Sequence, residues 1–220
     1  MTLRQSLLQS MEEIKNEVTH MADLALKHLR EGLLAFKTND FKLAEEVMKK
    51  DEDVDHYEEE IAKKALRIIW KEQPVASDLR MVTGILKLIT DLERIGDHAS
   101  DVAEMTLHLT ESRNPRVMPI TSKMAERVEQ MVLKSIESLV RVDETLAREV
   151  IDEDDEVDEL FQTLINKMTT ELKKEAIDPN EAIYILMVAK YFERVGDHAV
   201  NIAQWIIFMV KGTHKETLLF

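Results

Sequence analysis

Apolar residues recur three and four positions apart along most of the chain, which is the spacing of an amphipathic α-helix. The pattern breaks at three polar or proline-containing stretches: "TND" at 38–40, "QPVASD" at 73–78 and "SRNPRVMP" at 112–119. We therefore predict six long helices, over about 3–36, 40–70, 74–110, 119–142, 143–176 and from 179 onward. Asp178 is predicted to cap the last helix, with Pro179 in its first turn.

The composition supports the helical pattern. The chain has 220 residues but only 5 glycines and 4 prolines, too few for the frequent tight turns that a sheet protein needs. Its hydrophobic fraction of 45% is enough to build a substantial core. The expected fold class is all-α.

The second half of the sequence repeats the first. "DFKLAEEV" at 40–47 matches "DETLAREV" at 143–150, 103 positions later, whereas Glu93 and Glu193 are 100 positions apart. The first half therefore carries three extra residues, which fall in the "QPVASD" loop, where insertions are tolerated. We predict two tandem three-helix bundles, residues 1–112 and 113–220, related by a pseudo-twofold axis.

Charge and residue usage exclude several classes of function. The formal net charge of −14 disfavours nucleic acid as a partner, because a phosphate backbone is gripped by clustered lysine and arginine. The absence of cysteine excludes disulfides and thiolate metal sites, and it is compatible with a cytoplasmic protein. The longest apolar run, Ala182–Ala189, is too short to span a membrane, and the N-terminus lacks a signal-peptide pattern.

One polar motif occurs in both halves. "DLERIGDHASDVAE" at 91–104 and "YFERVGDHAVNIAQ" at 191–204 are identical at seven of fourteen positions. Residues four apart lie on one face of a helix, so each copy presents a polar stripe along its helix. The two stripes consist of Glu93, Asp97 and Asp101, and of Glu193, Asp197 and Asn201.

Two interpretations of the stripes are open. Arg94, Arg194 or a lysine from a neighbouring helix would neutralise the carboxylates in an ordinary ion-pair network. Alternatively, carboxylates converging from several helices would bind a hard cation such as Mg²⁺, Mn²⁺, Ca²⁺ or oxidised iron. The duplication and the glycine inside each motif favour the metal site.

The glycines suggest which helix lies next to the stripes. Gly96 and Gly196 each cost their helix roughly 1 kcal/mol relative to alanine, and a close helix approach would explain them. If the neighbour is the preceding helix, the acidic runs "DEDVD" and "DDEVD" supply further carboxylates, from Asp51 and Asp55 or from Asp154 and Asp158. The alternative for these runs is a solvated acidic face.

Other chemistry-bearing residues are interpreted structurally. His98 and His198 each follow an aspartate and so point about 100° away from it, which favours capping or salt bridging over metal ligation. Trp70 and Trp205 are predicted to be packing anchors. No phosphate-binding glycine loop, GxSxG or HExxH motif occurs, so we do not expect an enzyme.

With these residues in view, the chain resembles the PhoU family of phosphate-uptake regulators. The resemblance is carried by "ERIGDHASDVAE", "ERVGDHAVNIAQ" and "QPVASDLR" and extends over essentially the whole chain. It implies an all-α fold of two similar three-helix bundles. It also implies that Glu93, Asp97, Glu193 and Asp197 bind multinuclear metal clusters of iron, zinc, manganese or magnesium, with Asp101, Asn201, Asp55 and Asp158 as further candidates.

The resemblance further implies a non-enzymatic role. Such a protein dampens high-affinity phosphate import and phosphate-starvation signalling by contacting the ATPase subunit of the phosphate ABC transporter and a sensor histidine kinase. A homodimer is also expected. Asn201, which stands where the first half has Asp101, predicts a weaker second cluster. A carboxylate-ligated hydrolase or oxidase and a metal-free helical scaffold are the alternatives.

Overall fold

The structure is a computed structural model, described here for residues 3–50, 52–109, 117–215 and 217–218. This part of the chain contains seven α-helices and one antiparallel ladder with two residues in each strand. The helices are α1 (Leu3–Thr38), α2 (Phe41–Lys49), α3 (Glu52–Glu72), α4 (Ser77–Leu107), α5 (Met118–Arg141), α6 (Glu144–Lys173) and α7 (Pro179–Lys211). The strands are β1 (Thr213–His214) and β2 (Thr217–Leu218). The all-α prediction is confirmed.

Three helix boundaries differ from the sequence prediction, one of them the end of α6 at Lys173 instead of about 176. The second predicted helix is divided into α2 and α3; at the end of α2, the N–H of Lys50 bonds to the Val47 carbonyl, three residues back instead of four. Helix α4 begins later than predicted because Gln73 and Ala76 have φ angles of 47° and 48°, which a right-handed helix cannot contain. Asp51, the predicted helix end at 110 and the predicted domain boundary at 112/113 lie outside the described residues.

Three helices begin at an aspartate cap. Asp40, Asp143 and Asp178 each accept hydrogen bonds from two backbone N–H groups of the first turn, at distances between 2.8 and 3.2 Å. These bonds satisfy donors that have no partner within the helix. The predicted cap at Asp178 is confirmed, with Pro179 as the first residue of α7.

The residue before two of these caps has the same unusual backbone in both halves. Asn39 precedes Asp40 with φ 58°, and Val142 precedes Asp143 with φ 51°. The left-handed region is accessible to asparagine but strained for a β-branched residue. The repeat thus keeps the turn while the side chain differs.

Helices α4 and α7 lie against each other where the two halves of the chain meet. In the first half α1 and α3 pack on α4 and on each other, and in the second half α5 and α6 do the same around α7. Phe36 of α1 meets Phe192 of α7 edge to face, with 5.6 Å between ring centroids, so the two halves share one core. A Cβ on Gly32 would lie 2.8 Å from the Ala99 carbonyl oxygen, which shows how closely α1 approaches α4.

The two tryptophans have different environments. Trp205 stacks on His214 at 3.9 Å and meets Phe208 edge to face, as expected of a packing anchor. The prediction for Trp70 was wrong, because 81% of this residue is exposed. Within the described residues, no helix is long and apolar enough to cross a membrane.

Candidate metal centre

Three carboxylates from two helices of the first half converge. Asp55 of α3 and Glu93 and Asp97 of α4 each place an oxygen within 4.8 Å of the others. Glu93 and Asp97 are one helical turn apart and therefore share a face, as the sequence predicts. The convergence of Asp55 confirms that α3 is the neighbour of the first stripe.

Gly96 allows the two helices to approach at this point. A Cβ built on Gly96 would lie 3.3 Å from Val54 Cγ2, a contact tighter than most real Cβ contacts. Val54 is buried, and Asp55 follows it directly in α3. The contact therefore holds the backbone of Asp55 beside α4 and brings its carboxylate to Glu93 and Asp97.

The electrostatics of this first carboxylate group favour an added positive charge. Burial, followed by repulsion from Asp97, raises the pKa of Glu93 to about 7. Glu93 Oε2 is buried, and no donor among the described residues hydrogen-bonds to it; Arg94 Nε lies 3.2 Å away without hydrogen-bond geometry. A buried oxygen with no hydrogen bond is costly for the fold, and a hard cation would satisfy it.

Arg94 supplies part of the compensating charge. Its Nη1 donates to Asp97 Oδ2 at 2.6 Å, and its own side chain is 52% exposed. Arg94 thus pairs with Asp97, as the ion-pair interpretation of the stripe predicts. The buried Oε2 of Glu93 still has no hydrogen bond within the described residues.

The second half also brings carboxylates of α6 and α7 near one another, although among the described residues only Asp55, Glu93 and Asp97 converge to within 4.8 Å. Burial raises the pKa of Asp154 to about 6, and Asp158, Asp197 and Glu193 add to the shift in that order. Burial and Glu193 also raise the pKa of Asp197. A Cβ on Gly196 would lie 3.2 Å from Asp154 Oδ1, so this glycine makes room for a carboxylate where Gly96 makes room for a valine.

The second carboxylate group pairs with a lysine side chain. Lys190 Nζ donates to Glu193 Oε2 from one turn earlier in α7 and lies 5.6 Å from the Phe161 ring centroid. The first half has Thr90 at the equivalent position, where its hydroxyl donates to Glu58 at 3.0 Å. The two groups are therefore charged differently.

Two predicted stripe members face other partners. Asp101 Oδ2 lies 2.8 Å from His98 Nδ1, and the Asn201 amide donates to Asp91 Oδ1 at 3.1 Å. Asp101 is not part of the group formed by Asp55, Glu93 and Asp97. The preceding helix thus adds Asp55 to the first two positions of the first stripe, whereas the third positions, Asp101 and Asn201, contact His98 and Asp91.

The histidines explain why the third position differs between the halves. His198 takes Asp91 of α4 as its carboxylate partner, 2.9 Å from Nδ1, whereas His98 takes Asp101 of its own helix. The repeat equivalent of Asp91 is Tyr191, whose ring centroid lies 5.5 Å from that of His98. Asparagine at 201 thus accompanies an aspartate at 91, and each histidine has one carboxylate. Each histidine thus pairs with a carboxylate, in agreement with the predicted capping or salt-bridging role.

Sequence reasoning did not single out Asp91 or Lys190. Both stand at positions that differ between the halves: the repeat equivalent of Asp91 is Tyr191, and that of Lys190 is Thr90. That difference was the available signal, because identity between the repeats directed attention to the shared residues. Asp154 was named together with Asp158 as a possible additional carboxylate. Its elevated pKa and its proximity to Gly196 support its membership of the second group.

Comparison with known proteins adds a family assignment to this geometry. The family model described as "PhoU domain" matches residues 18–106 and 121–206. A curated PhoU homologue of the phosphate-specific transport system, an accessory protein from Aquifex aeolicus, is 36% identical over 94% of this chain and 93% of its own. One from Clostridium acetobutylicum is 32% identical over 92% of this chain and 93% of its own.

A solved structure has the same fold. The crystal structure of PhoU from Pseudomonas aeruginosa superposes with a TM-score of 0.89 at 32% sequence identity. The match covers 93% of this chain and 99% of that one. The arrangement of helices described above is therefore that of a known family.

Proposed function

The chain belongs to the PhoU family, and we propose that it is an accessory protein that regulates phosphate-specific transport and binds cations at two carboxylate groups. The observation that carries the regulatory role is similarity over nearly the full length to relatives named as accessory proteins of that transport system. A name of this kind describes an auxiliary protein, so the proposed role is not catalytic.

Phosphate uptake tests the regulatory role. Deleting the gene should raise uptake under phosphate-replete conditions, and expression of the chain in the deletion strain should restore repression. Uptake that is unchanged in the deletion strain would contradict the proposal. A catalytically inactive transporter ATPase in the same background serves as the control that the uptake measured is that of the phosphate transporter.

The proposal also names binding partners. We propose that this chain binds the ATPase subunit of the phosphate ABC transporter and a sensor histidine kinase, and that it forms a homodimer. Cross-linking of the purified chain with each partner, and light scattering on the chain alone, test these contacts separately. A chain that represses uptake without cross-linking to the ATPase subunit would overturn that contact.

The residues proposed to hold cations are Asp55, Glu93 and Asp97 in the first half, and Asp154, Asp158, Glu193 and Asp197 in the second. Their donor set fits hard cations because it consists of carboxylate oxygens. A bound cation would supply positive charge to groups that repel one another. The side chains come from two helices in each half, so their role is to tie α3 to α4 and α6 to α7.

Elemental mass spectrometry on untagged protein tests cation binding. Changing Glu93 to Gln and Asp97 to Asn should remove the cations of the first group only, and the same changes at Glu193 and Asp197 those of the second. Asp101→Asn is the matched control, because Asp101 pairs with His98 and should leave the cation content unchanged.

A cation-free scaffold is the second candidate. It is favoured by the ion pairs of Arg94 with Asp97 and of Lys190 with Glu193, which neutralise part of each group. In that case wild type and variants would carry no cation above background when several are supplied. The regulatory role would then stand without the metal sites.

A further inference from the structure

The end of α3 carries an exposed apolar surface far from both carboxylate groups. Leu66 and Trp70 lie four residues apart on one side of the helix, 59% and 81% exposed, and Val75 follows in the α3–α4 loop at 72%. Trp70 is about 20 Å along the helix from Asp55. We call Leu66, Trp70 and Val75 the apolar face.

The second half shows that the fold does not require this face. Buried Ile61 and Ala65 of α3 correspond to buried Leu164 and Met168 of α6, 103 positions later, so the register holds across the core. At the same offset, Leu66 corresponds to Thr169 and Trp70 to Lys173, and the loop that carries Val75 has no counterpart in α6–α7.

The loop that carries Val75 also has an unusual backbone. Gln73 and Ala76, on either side of Val75, both have positive φ angles, which are strained for residues other than glycine. Exposed apolar side chains that lie together, as Leu66 and Trp70 do, mark interaction sites more often than singly exposed ones.

Two basic side chains flank the face. Arg67 and Lys71 neighbour Leu66 and Trp70 in α3 and are both exposed. Lys71 pairs with Glu72 at 3.6 Å, whereas Arg67 pairs with no carboxylate of the described residues. The nearest acidic side chain in sequence, Glu72, is only 4% exposed and accepts a hydrogen bond from Ser6 of α1. Arg67 therefore leaves positive charge beside the face on a chain whose formal net charge is −14.

These features select among possible occupants. A second copy in a twofold contact would set like basic flanks against each other. A folded partner with apolar side chains would need a groove, but the depression beside the face, about 210 Å³, is lined mostly by charged residues of α1 and α3. A protruding tryptophan and leucine flanked by arginine and lysine suit the boundary between anionic headgroups and acyl chains.

We propose that the apolar face, Leu66, Trp70 and Val75 with the flanking Arg67 and Lys71, docks onto an anionic lipid bilayer. The negative charge on the rest of the chain opposes this only weakly, because charges farther than about 8 Å are screened at physiological ionic strength. Docking would orient the α3–α4 end of the first half towards the membrane. This inference does not depend on cation binding.

Vesicle co-sedimentation with the full chain tests the proposal. We expect binding to vesicles of equimolar phosphatidylglycerol and phosphatidylcholine, and much weaker binding to phosphatidylcholine alone. Leu66→Thr with Trp70→Lys installs the residues of the second half and should reduce binding about tenfold, although it adds a positive charge. Leu34→Thr, at another exposed leucine, should leave binding unchanged.

A Trp205→Phe background isolates Trp70 fluorescence, which should shift to shorter wavelength when vesicles are added. Circular dichroism checks that each variant is folded. Binding that is absent, indifferent to phosphatidylglycerol, or retained in the double variant would overturn the proposal. So would a dimer, detected by light scattering, that the double variant dissociates, because the face would then belong to a second copy.

Discussion

Gly196 lies directly under the carboxylate of Asp154. A Cβ at this position would be 3.2 Å from Asp154 Oδ1, and Met131 Cε would be its next neighbour at 3.7 Å. At the crossing of α6 over α7, the nearest neighbour of Gly196 is therefore a carboxylate, with apolar atoms of Met131 and Val157 slightly farther away. This contact links the helix geometry to the chemistry of the second group.

Gly196→Ala should separate stability from cation binding. Alanine favours the helix by about 1 kcal/mol, and the carboxylate of Asp154 can turn away at little cost, so we expect stability to rise by about 0.5 kcal/mol. The displaced carboxylate should weaken cation binding in the second group about tenfold. Urea unfolding and calorimetric titration with Mn²⁺ measure the two effects.

Gly32→Ala is the control for that substitution. Its Cβ would meet the Ala99 carbonyl oxygen at 2.8 Å, and a backbone atom in a packed helix cannot move aside easily. We expect a loss of about 1–3 kcal/mol without a selective effect on either cation site. Equal stability changes at Gly32 and Gly196 would contradict the distinction between a backbone and a side-chain neighbour.

The pH dependence of stability should reveal Glu93. Its pKa is about 7 in the folded chain and near 4.5 when unfolded, so the folded state binds the extra proton. This contribution is complete below the unfolded pKa and is lost as pH rises through about 7. In chelator-treated protein, stability should fall by on the order of 1 kcal/mol between about pH 5 and 8, after allowing for solvent screening.

Glu93→Gln should remove that part of the pH dependence. The variant should be more stable than wild type at pH 8 without cation, because an uncharged side chain no longer repels Asp97 and Asp55. Saturating Mn²⁺ should stabilise wild type more than the variant. Identical unfolding curves for the two proteins across the pH range would show that Glu93 titrates normally.

Asp91 should matter more for stability than Asp101. Asp91 is 9% exposed and accepts hydrogen bonds from both His198 and Asn201. Asp91→Ala would leave these two side chains without their hydrogen-bond partner at the α4–α7 interface, and should lower the free energy of unfolding by about 2 kcal/mol. The Asp101 side chain is 35% exposed and pairs within its own helix, so Asp101→Ala should cost roughly 0.5 kcal/mol. Chemical denaturation of both variants tests the difference.

The turn before each aspartate cap offers a reciprocal test. Val142 has φ 51° and its repeat equivalent Asn39 has φ 58°. Val142→Asn should stabilise the chain by about 1 kcal/mol, and Asn39→Val should destabilise it by a similar amount, because the left-handed region penalises a β-branched residue. Thermal melts of the two variants should shift in opposite directions; a shift in the same direction would mean that packing, not backbone strain, dominates.

The helices and the first carboxylate group could be read from the sequence because both depend on local spacing. The four-residue interval fixes Glu93 and Asp97 on one face, and the motif glycine indicates a neighbouring helix close enough to deliver Asp55. The start of α4 was misplaced because proline is compatible with a first turn, and the positive φ angles at Gln73 and Ala76 leave no signal in the residue types.

Contacts between side chains were harder to predict. Asp101 extends the stripe by spacing alone, but its partner is His98, three residues earlier in the same helix. Trp70 was predicted to be a packing anchor, and tryptophan is indeed highly buried on average. Its position on the outer side of α3 depends on the helix register, which the neighbouring buried residues Ala65 and Ile68 fix.

Asp91 and Asp101 of the first half are replaced by Tyr191 and Asn201 in the second. The two halves therefore contribute different residues to their shared interface. A chain built from two first halves would surround each interface histidine with two aspartates, and one built from two second halves would offer each histidine a tyrosine and an asparagine but no carboxylate. Only the pairing of a first half with a second half gives both His98 and His198 one carboxylate partner. The two repeats have therefore become complementary at their interface, and separately expressed halves should associate with each other in preference to copies of themselves.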